Sequence, residues 1–223
     1  GFELTRGAST VAVTMGSQRL LAYLALQSHP VQRVHVAGTL WGETTETRSL
    51  ANLRSTLWRL HEAGVRLVQS VGSGIQLGPE VGIDLRRSTL LARRLIDDSD
   101  SVGDQELTHA AFRHDLLPDW YDEWVVSDRE RYRQLRMHAL EALVPRLLHA
   151  ARFAEAIEAG QAAVAAEPLR ESAHRALIEA HLSEGNPGEA LRQYQLFREL
   201  LRRELGLEPS PRIRALLAGL RLA

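Results

Sequence analysis

The chain has 223 residues, a formal net charge of −1 and no Cys. That length allows one large or two ordinary domains with a core that needs no cross-link, and the missing Cys excludes disulfides and thiolate zinc sites. No apolar run approaches the roughly 20 residues that span a bilayer and no secretory signal pattern is present, so a cytoplasmic protein without a membrane partner is expected.

The charge is unevenly placed. All 27 basic residues are Arg. Residues 1–95 hold 11 Arg against 6 Asp and Glu, or +5, and residues 96–223 hold 16 against 22, or −6. A basic first part joined to an acidic second part suggests that only the first meets a polyanion.

In chain order, residues 2–4 (FEL) and 11–13 (VAV) predict short strands around a turn at Arg6–Ser9. A helix follows from Ser17, its predicted N-cap, with Leu20, Leu21, Leu24 and Ala25 on one face. His35 to Trp41 predicts a short second helix stopped by Gly42. The segment from Glu46 to Glu62, ETRSLANLRSTLWRLHE, predicts the third. Leu50, Leu53, Leu57 and Leu60 make its apolar stripe, and Arg48, Asn52, Ser55 and Arg59 occupy another face that meets no acid until Glu62. Strands over 67–70 and 75–77 flank Gly72-Ser73-Gly74 as a hairpin. The order β-β-α-α-α-β-β fits a winged helix-turn-helix of the response-regulator effector type. Gly78-Pro79 and Gly82 then mark a boundary, giving a first domain over 1–82 and a second over 83–223.

The second part is patterned as all helix, over 86–97, 104–112, about 122–149, 153–166, 170–184, 187–204 and 210–221. Pro145 is expected to kink or end the long helix near its last turn. Ala156 in FAEAIEAGQAAVAAEP and Ala190 in PGEALRQYQLFRELL lie 34 residues apart, the period of a tetratricopeptide repeat. Gly160 stands where the first repeat would carry an aromatic, whereas Tyr194 supplies one in the second. The predicted fold class is therefore mainly α: a winged helix-turn-helix followed by an all-α, tetratricopeptide-like domain.

The 46–62 helix offers guanidinium forks, an amide and a hydroxyl, the groups that read base edges and grip phosphates. Arg48 and Asn52, one turn apart, are candidates for guanine and adenine, with Ser55 further along the same face and within reach of the backbone. Arg59 is placed at phosphate or sugar, and Thr45 as a helix cap whose hydroxyl also meets a phosphate. Gln18 and Arg19 open the first helix, where backbone N–H groups favour an anion. Arg33 precedes the second helix, and Ser73 sits at the hairpin tip. The alternative is a solvated surface helix beside a hairpin. The four Trp are assigned mainly to packing, with Trp120 and Trp124 between the early helices and the repeat pair.

Other chemistries find no support. VGSGIQLG places Leu77 where a dinucleotide fingerprint needs its third Gly. His61-Glu62 lacks the second His of a zinc-protease motif, and no Ser lies in G-x-S-x-G. No enzyme activity, cofactor or metal is expected.

Residues 115–136, DLLPDWYDEWVVSDRERYRQLR, and 168–210, PLRESAHRALIEAHLSEGNPGEALRQYQLFRELLRRELGLEPS, resemble the bacterial transcriptional activator domain. The first part, with Leu40-Trp41 leading to NLRSTLWRL at Asn52 to Leu60, is similar to the DNA-binding domain of SARP-type antibiotic regulatory activators. The resemblance implies an activator of a biosynthetic gene cluster that binds direct repeats in double-stranded DNA near promoters. It also implies contact with RNA polymerase, with a homodimer arranged head to tail on the repeats. Larger members of the family add an ATPase domain, whose Walker A motif needs a Lys that this sequence lacks. The competing reading is a protein-interaction module whose winged domain no longer reads DNA.

Overall fold

The computed structural model describes residues 1–62, 64, 67–97 and 102–218. They divide into two compact units, one of residues 1–85 and 116–130, the other of 86–115 and 131 onward.

The first unit opens with a small hairpin, β1 (Thr5–Arg6) and β2 (Ser9–Thr10). The strands expected over 2–4 and 11–13 are its arms instead. Val11 N–H still donates to Leu4 O at 2.8 Å, but Phe2, Leu4, Val11 and Val13 turn to pack on the core. Helix α1 (Met15–Leu26) starts earlier than expected. Its cap is Thr14, whose Oγ1 accepts from Ser17 N–H at 3.4 Å, and Ser17 is buried in the first turn.

Strand β3 (Val31–Gln32) follows, too short to show any alternation in the sequence, and leads directly into α2 (Arg33–Leu40). Helix α3 (Glu46–Glu62) has the predicted bounds. The hairpin β4 (Val68–Val71) and β5 (Gly74–Leu77) completes a three-stranded antiparallel sheet in the order β3-β5-β4. Its loop is Gly72-Ser73. Gly72 takes φ +58°, a conformation that such a two-residue loop uses and other residues resist. The three helices and the sheet enclose one core, in which Leu20, Leu24, Val36, Leu40, Leu53, Leu60 and Ile75 are buried.

The first unit is completed from far along the chain. Trp120 stacks on Phe2 with ring centroids 6.3 Å apart, and Trp124 meets Tyr23 edge-on at 5.3 Å. Val125 is buried beside Ala22 and Leu117. Arg19 pairs with Asp122. Arg129 donates from Nε to Leu116 O at 2.9 Å, and its Nη2 reaches the carbonyls of Leu117 and Trp120. These bonds hold Leu117 at φ +42°, a left-handed conformation unusual for Leu. The two Trp, expected between the early helices and the repeat pair, pack within the first unit on Phe2, Tyr23 and each other.

The second unit is helical among its described residues. It takes in most of α4 (Asp84–Ile96) and of α5 (Glu123–His149), then α6 (Phe153–Ala166), α7 (Glu171–Glu184), α8 (Pro187–Leu205) and α9 (Pro211–Leu217). The end of the last expected helix, beyond residue 218, lies outside the described residues. The helix predicted over 104–112 is two 3₁₀ turns, Asp104–Glu106 and His109–Phe112. Thr108 separates them: its backbone is extended, and its Oγ1 accepts from Ala110 N–H at 3.2 Å. Helix α5 runs through Pro145 to His149. Leu143, Val144 and Leu147 are fully buried around the proline, which offsets the single backbone bond it removes. No helix among the described residues is long and apolar enough to cross a membrane.

Ala156 and Ala190, 34 residues apart, are both fully buried, in α6 and α8. Gly160 explains why the first pair has no aromatic: a methyl there would stand 3.1 Å from Leu177 Cα on α7. In the second pair His174 of α7 stacks on Phe197 of α8 at 4.2 Å. As the neutral tautomer its Nε2 donates to Pro168 O, and its Nδ1 accepts from Gln193 Nε2, both at 2.8 Å.

Two predictions follow from this packing. A fragment ending at residue 82 lacks Leu117, Trp120, Trp124 and Val125, and burying a large apolar side chain stabilises by about 1.5–3 kcal/mol against a total of about 5–15 kcal/mol. Thermal unfolding of that fragment is expected far below the full chain, or without a cooperative transition, and a fragment as stable as the parent contradicts the assignment.

Burial holds the His174 imidazole below its ordinary value, with the bond to Pro168 O opposing it. The neutral ring's contribution is full above pH about 6.5 and declines as pH falls below it, because the unfolded chain then binds the extra proton first. Gln193→Glu replaces the donor at Nδ1 with an acceptor and favours the imidazolium. Its melting temperature should fall less than the parent's between pH about 7.5 and about 5.5; an equal fall removes His174 from the account.

Candidate nucleic-acid interface

The arrangement of α3 follows from what its inner face buries. Ser49, Leu53, Thr56 and Leu60 are buried, while Leu50 and Leu57 lie only partly covered at the edge. The two buried hydroxyls are satisfied within the helix: Ser49 Oγ donates to Glu46 O and Thr56 Oγ1 to Asn52 O, both at 2.9 Å. The buried face is therefore rotated from the Leu stripe expected. At 100° per residue, the face opposite runs through Thr47, Ala51, Arg54 and Trp58, with Arg48 and Ser55 flanking it.

All of these side chains are exposed, and Trp58 is 62% accessible. Arg54 and Trp58 were missed because the outward face was taken from the Leu positions; the recurrence 47, 51, 54, 58 was the signal that could have found them. None of the side chains of Arg48, Arg54 and Arg59 forms an ion pair or hydrogen bond with another described residue.

The remaining candidates fall in several places. Asn52, half-buried, joins Ser55 and Arg59 along a groove whose other wall is Thr14, Met15 and Gly16 at the start of α1, with Trp41 beside them. Thr45 is exposed ahead of α3, and its carbonyl accepts from Ser49 N–H at 2.9 Å. Ser73 is exposed at the hairpin tip. Arg33 Nη2 donates to Ser70 Oγ at 2.8 Å, and both residues line a second groove with Leu57 and His61, between α3 and β4.

Two expected phosphate contacts are otherwise engaged. Gln18 Nε2 donates to Val13 O at 3.1 Å, and Arg19 is half-buried in its pair with Asp122. The start of α1 is accessible through Met15 and Gly16 instead.

The model of the bacterial transcriptional activator domain matches residues 91–221. Two curated relatives are Streptomyces proteins called regulatory protein AfsR. That of Streptomyces coelicolor is 31% identical over 95% of this chain, and that of Streptomyces griseus 27% identical over 93%. The chain spans only 22% of the length of each. A solved structure of Mycobacterium tuberculosis EmbR, in complex with a low-affinity phosphopeptide, matches with a TM-score of 0.67 and 22% identity. The match covers 96% of this chain and 61% of that one, and it shows a shared fold. With the family model covering more than half of its length, the chain belongs to the bacterial transcriptional activator domain family.

Proposed function

We propose that the chain is a sequence-specific, DNA-binding activator of transcription. The observation that carries this reading is the outer side of α3. It presents Arg48, Arg54 and Arg59 without a carboxylate partner among the described residues, with Asn52 and Ser55 beside them and a hairpin turning at Gly72-Ser73 next in sequence. Such a surface suits the major groove of a duplex, and the first unit is read as a winged helix-turn-helix with α3 as its recognition helix.

Arg48 and Asn52 read bases in this proposal, and Ser55 borders the base contacts. Arg54, Arg59 and Thr45 meet the backbone, Arg33 and the start of α1 flank it, and Ser73 approaches the adjacent groove as the wing. Arg19 holds the first unit together and is not assigned to DNA. The second unit is read as a tetratricopeptide-like stack that contacts RNA polymerase or a second protomer. Direct repeats call for a head-to-tail contact between protomers, because a two-fold pair suits inverted sites. The family suggests control of an antibiotic biosynthetic cluster.

Two outcomes test this. Arg48→Ala and Asn52→Ala should each lose about 1–3 kcal/mol of discrimination between a selected site and arbitrary sequence. Arg59→Ala should weaken all sequences alike and reduce the log–log salt slope by about 0.9. Full discrimination in Arg48→Ala refutes the placement of α3.

Cooperative binding to two half-sites should disappear when half a helical turn is inserted between them. It should return in part with a full turn of about 10–11 base pairs, as gel shifts on a spacing series will show. Cooperativity that ignores the helical phase counts against a protomer contact on one face of the duplex.

A further inference from the structure

Trp58 is the large outward side chain of α3 that the proposed function leaves unused. It is 62% exposed in the middle of the face opposite the core. Its side chain makes no ring contact or hydrogen bond with another described residue. The other described Trp residues are at least half covered, two of them inside the aromatic cluster of the first unit.

Its position along the helix decides what it meets. Trp58 stands ten residues beyond Arg48 and six beyond Asn52, so at 1.5 Å per residue it lies about 12 Å of helix past the midpoint of the two base contacts, about twice the half-width of the groove. The major groove is roughly 12 Å wide. A helix that places Arg48 and Asn52 over base edges therefore carries Trp58 past the groove floor, to the strand that borders it. The charge pattern agrees. Arg54 lies one turn before Trp58 and Arg59 directly after it, whereas Glu62 lies one turn beyond. That acid repels phosphate from the far end, so the last contact on the stripe suits an uncharged, apolar group.

We propose that Trp58 packs its indole against deoxyribose at the edge of the major groove, with Nε1–H turned toward a phosphate oxygen. The contact is sequence-independent and adds affinity that salt does not screen. It rests on the DNA-binding reading of α3 and extends it from charged contacts to an apolar one.

The experiment compares the full chain with Trp58→Ala, Trp58→Phe and Arg54→Ala on two duplexes. One has arbitrary sequence, and the other is selected by the parent chain from a random-sequence library. Circular dichroism confirms that each variant is folded. Trp58→Ala should bind both duplexes about tenfold more weakly with an unchanged salt slope, and Trp58→Phe should recover most of the loss. Arg54→Ala should lower the slope by about 1.

The proposal is overturned if Trp58→Ala binds as the parent does. It is equally overturned if the loss is confined to the selected duplex, which is base reading, or if the slope falls. Should the parent bind neither duplex, the DNA-binding reading falls and this inference with it. Should Arg48→Ala relax discrimination while Trp58→Ala is silent, that reading stands and only the role of Trp58 is lost.

Discussion

The first unit depends on a segment that reaches it from more than thirty residues away. Trp120 and Trp124 supply aromatic area to Phe2 and Tyr23, and Val125 fills the space beside Ala22. Two arginines fix the segment: Arg19 through the carboxylate of Asp122, and Arg129 through three backbone carbonyls. The main-chain path through Leu116, Leu117 and Trp120 runs in no helix or strand, and Arg129 gives all three carbonyls a donor, Leu117 O also accepting from Trp120 N–H at 3.1 Å. Because 86–115 belongs to the other unit, the chain passes from one unit to the other at three points. No single cut releases the first unit whole. The core of the first unit is therefore completed by residues 116–130.

Legibility in the sequence followed the range of the interaction. Helices α3 and α6 have the bounds predicted from their periodicity, because their apolar spacing and end signals are local. The hairpin was visible in Gly72-Ser73-Gly74 for the same reason. Strand β3 was not, since two residues carry no alternation and its pairing with β5 joins positions over forty apart. The return of 116–130 was hidden likewise: Trp120 and Trp124 announce burial, but nothing near them names Phe2 or Tyr23 as the partner.

The phase of α3 was misread for a different reason. Ser49 and Thr56 count as polar in a pattern, yet their hydroxyls bond to carbonyls of their own helix and so tolerate burial. That moved the inner face by part of a turn. Arg48, Asn52, Ser55 and Arg59 remained on one flank, while Arg54 and Trp58 came to the front. The same limit applies to Gly160. As a sequence feature it broke the repeat pattern at the aromatic position. In three dimensions it lets the backbone of α7 approach to where a Cβ would stand 3.1 Å from Leu177 Cα, tighter than most side chains pack, so the departure favours close packing of α6 and α7.

With no Lys in the chain, one residue type carries every permanent side-chain cation, and its environment decides its use. In the second unit Arg94 holds Glu106, Arg152 holds Glu155, Arg170 holds Glu141 and Arg198 holds Glu208, at 2.5–2.9 Å. Hydrogen bonds from Arg94 and from the Gly103 N–H keep Glu106 below its ordinary carboxylate value, and Arg152 does the same for Glu155. These guanidiniums already have their anions. Among the described residues those on α3 have none: Glu46 precedes Arg48 at the helix start and Glu62 closes the helix, but neither pairs with Arg48, Arg54 or Arg59. Unpaired surface guanidiniums remain hydrated and surrounded by mobile counterions. A guanidinium that neutralises a phosphate releases cations condensed on the polyanion, whereas one already paired must first give up its carboxylate. Arg48, Arg54 and Arg59 are gathered on one helix, and that grouping is what the proposed function rests on.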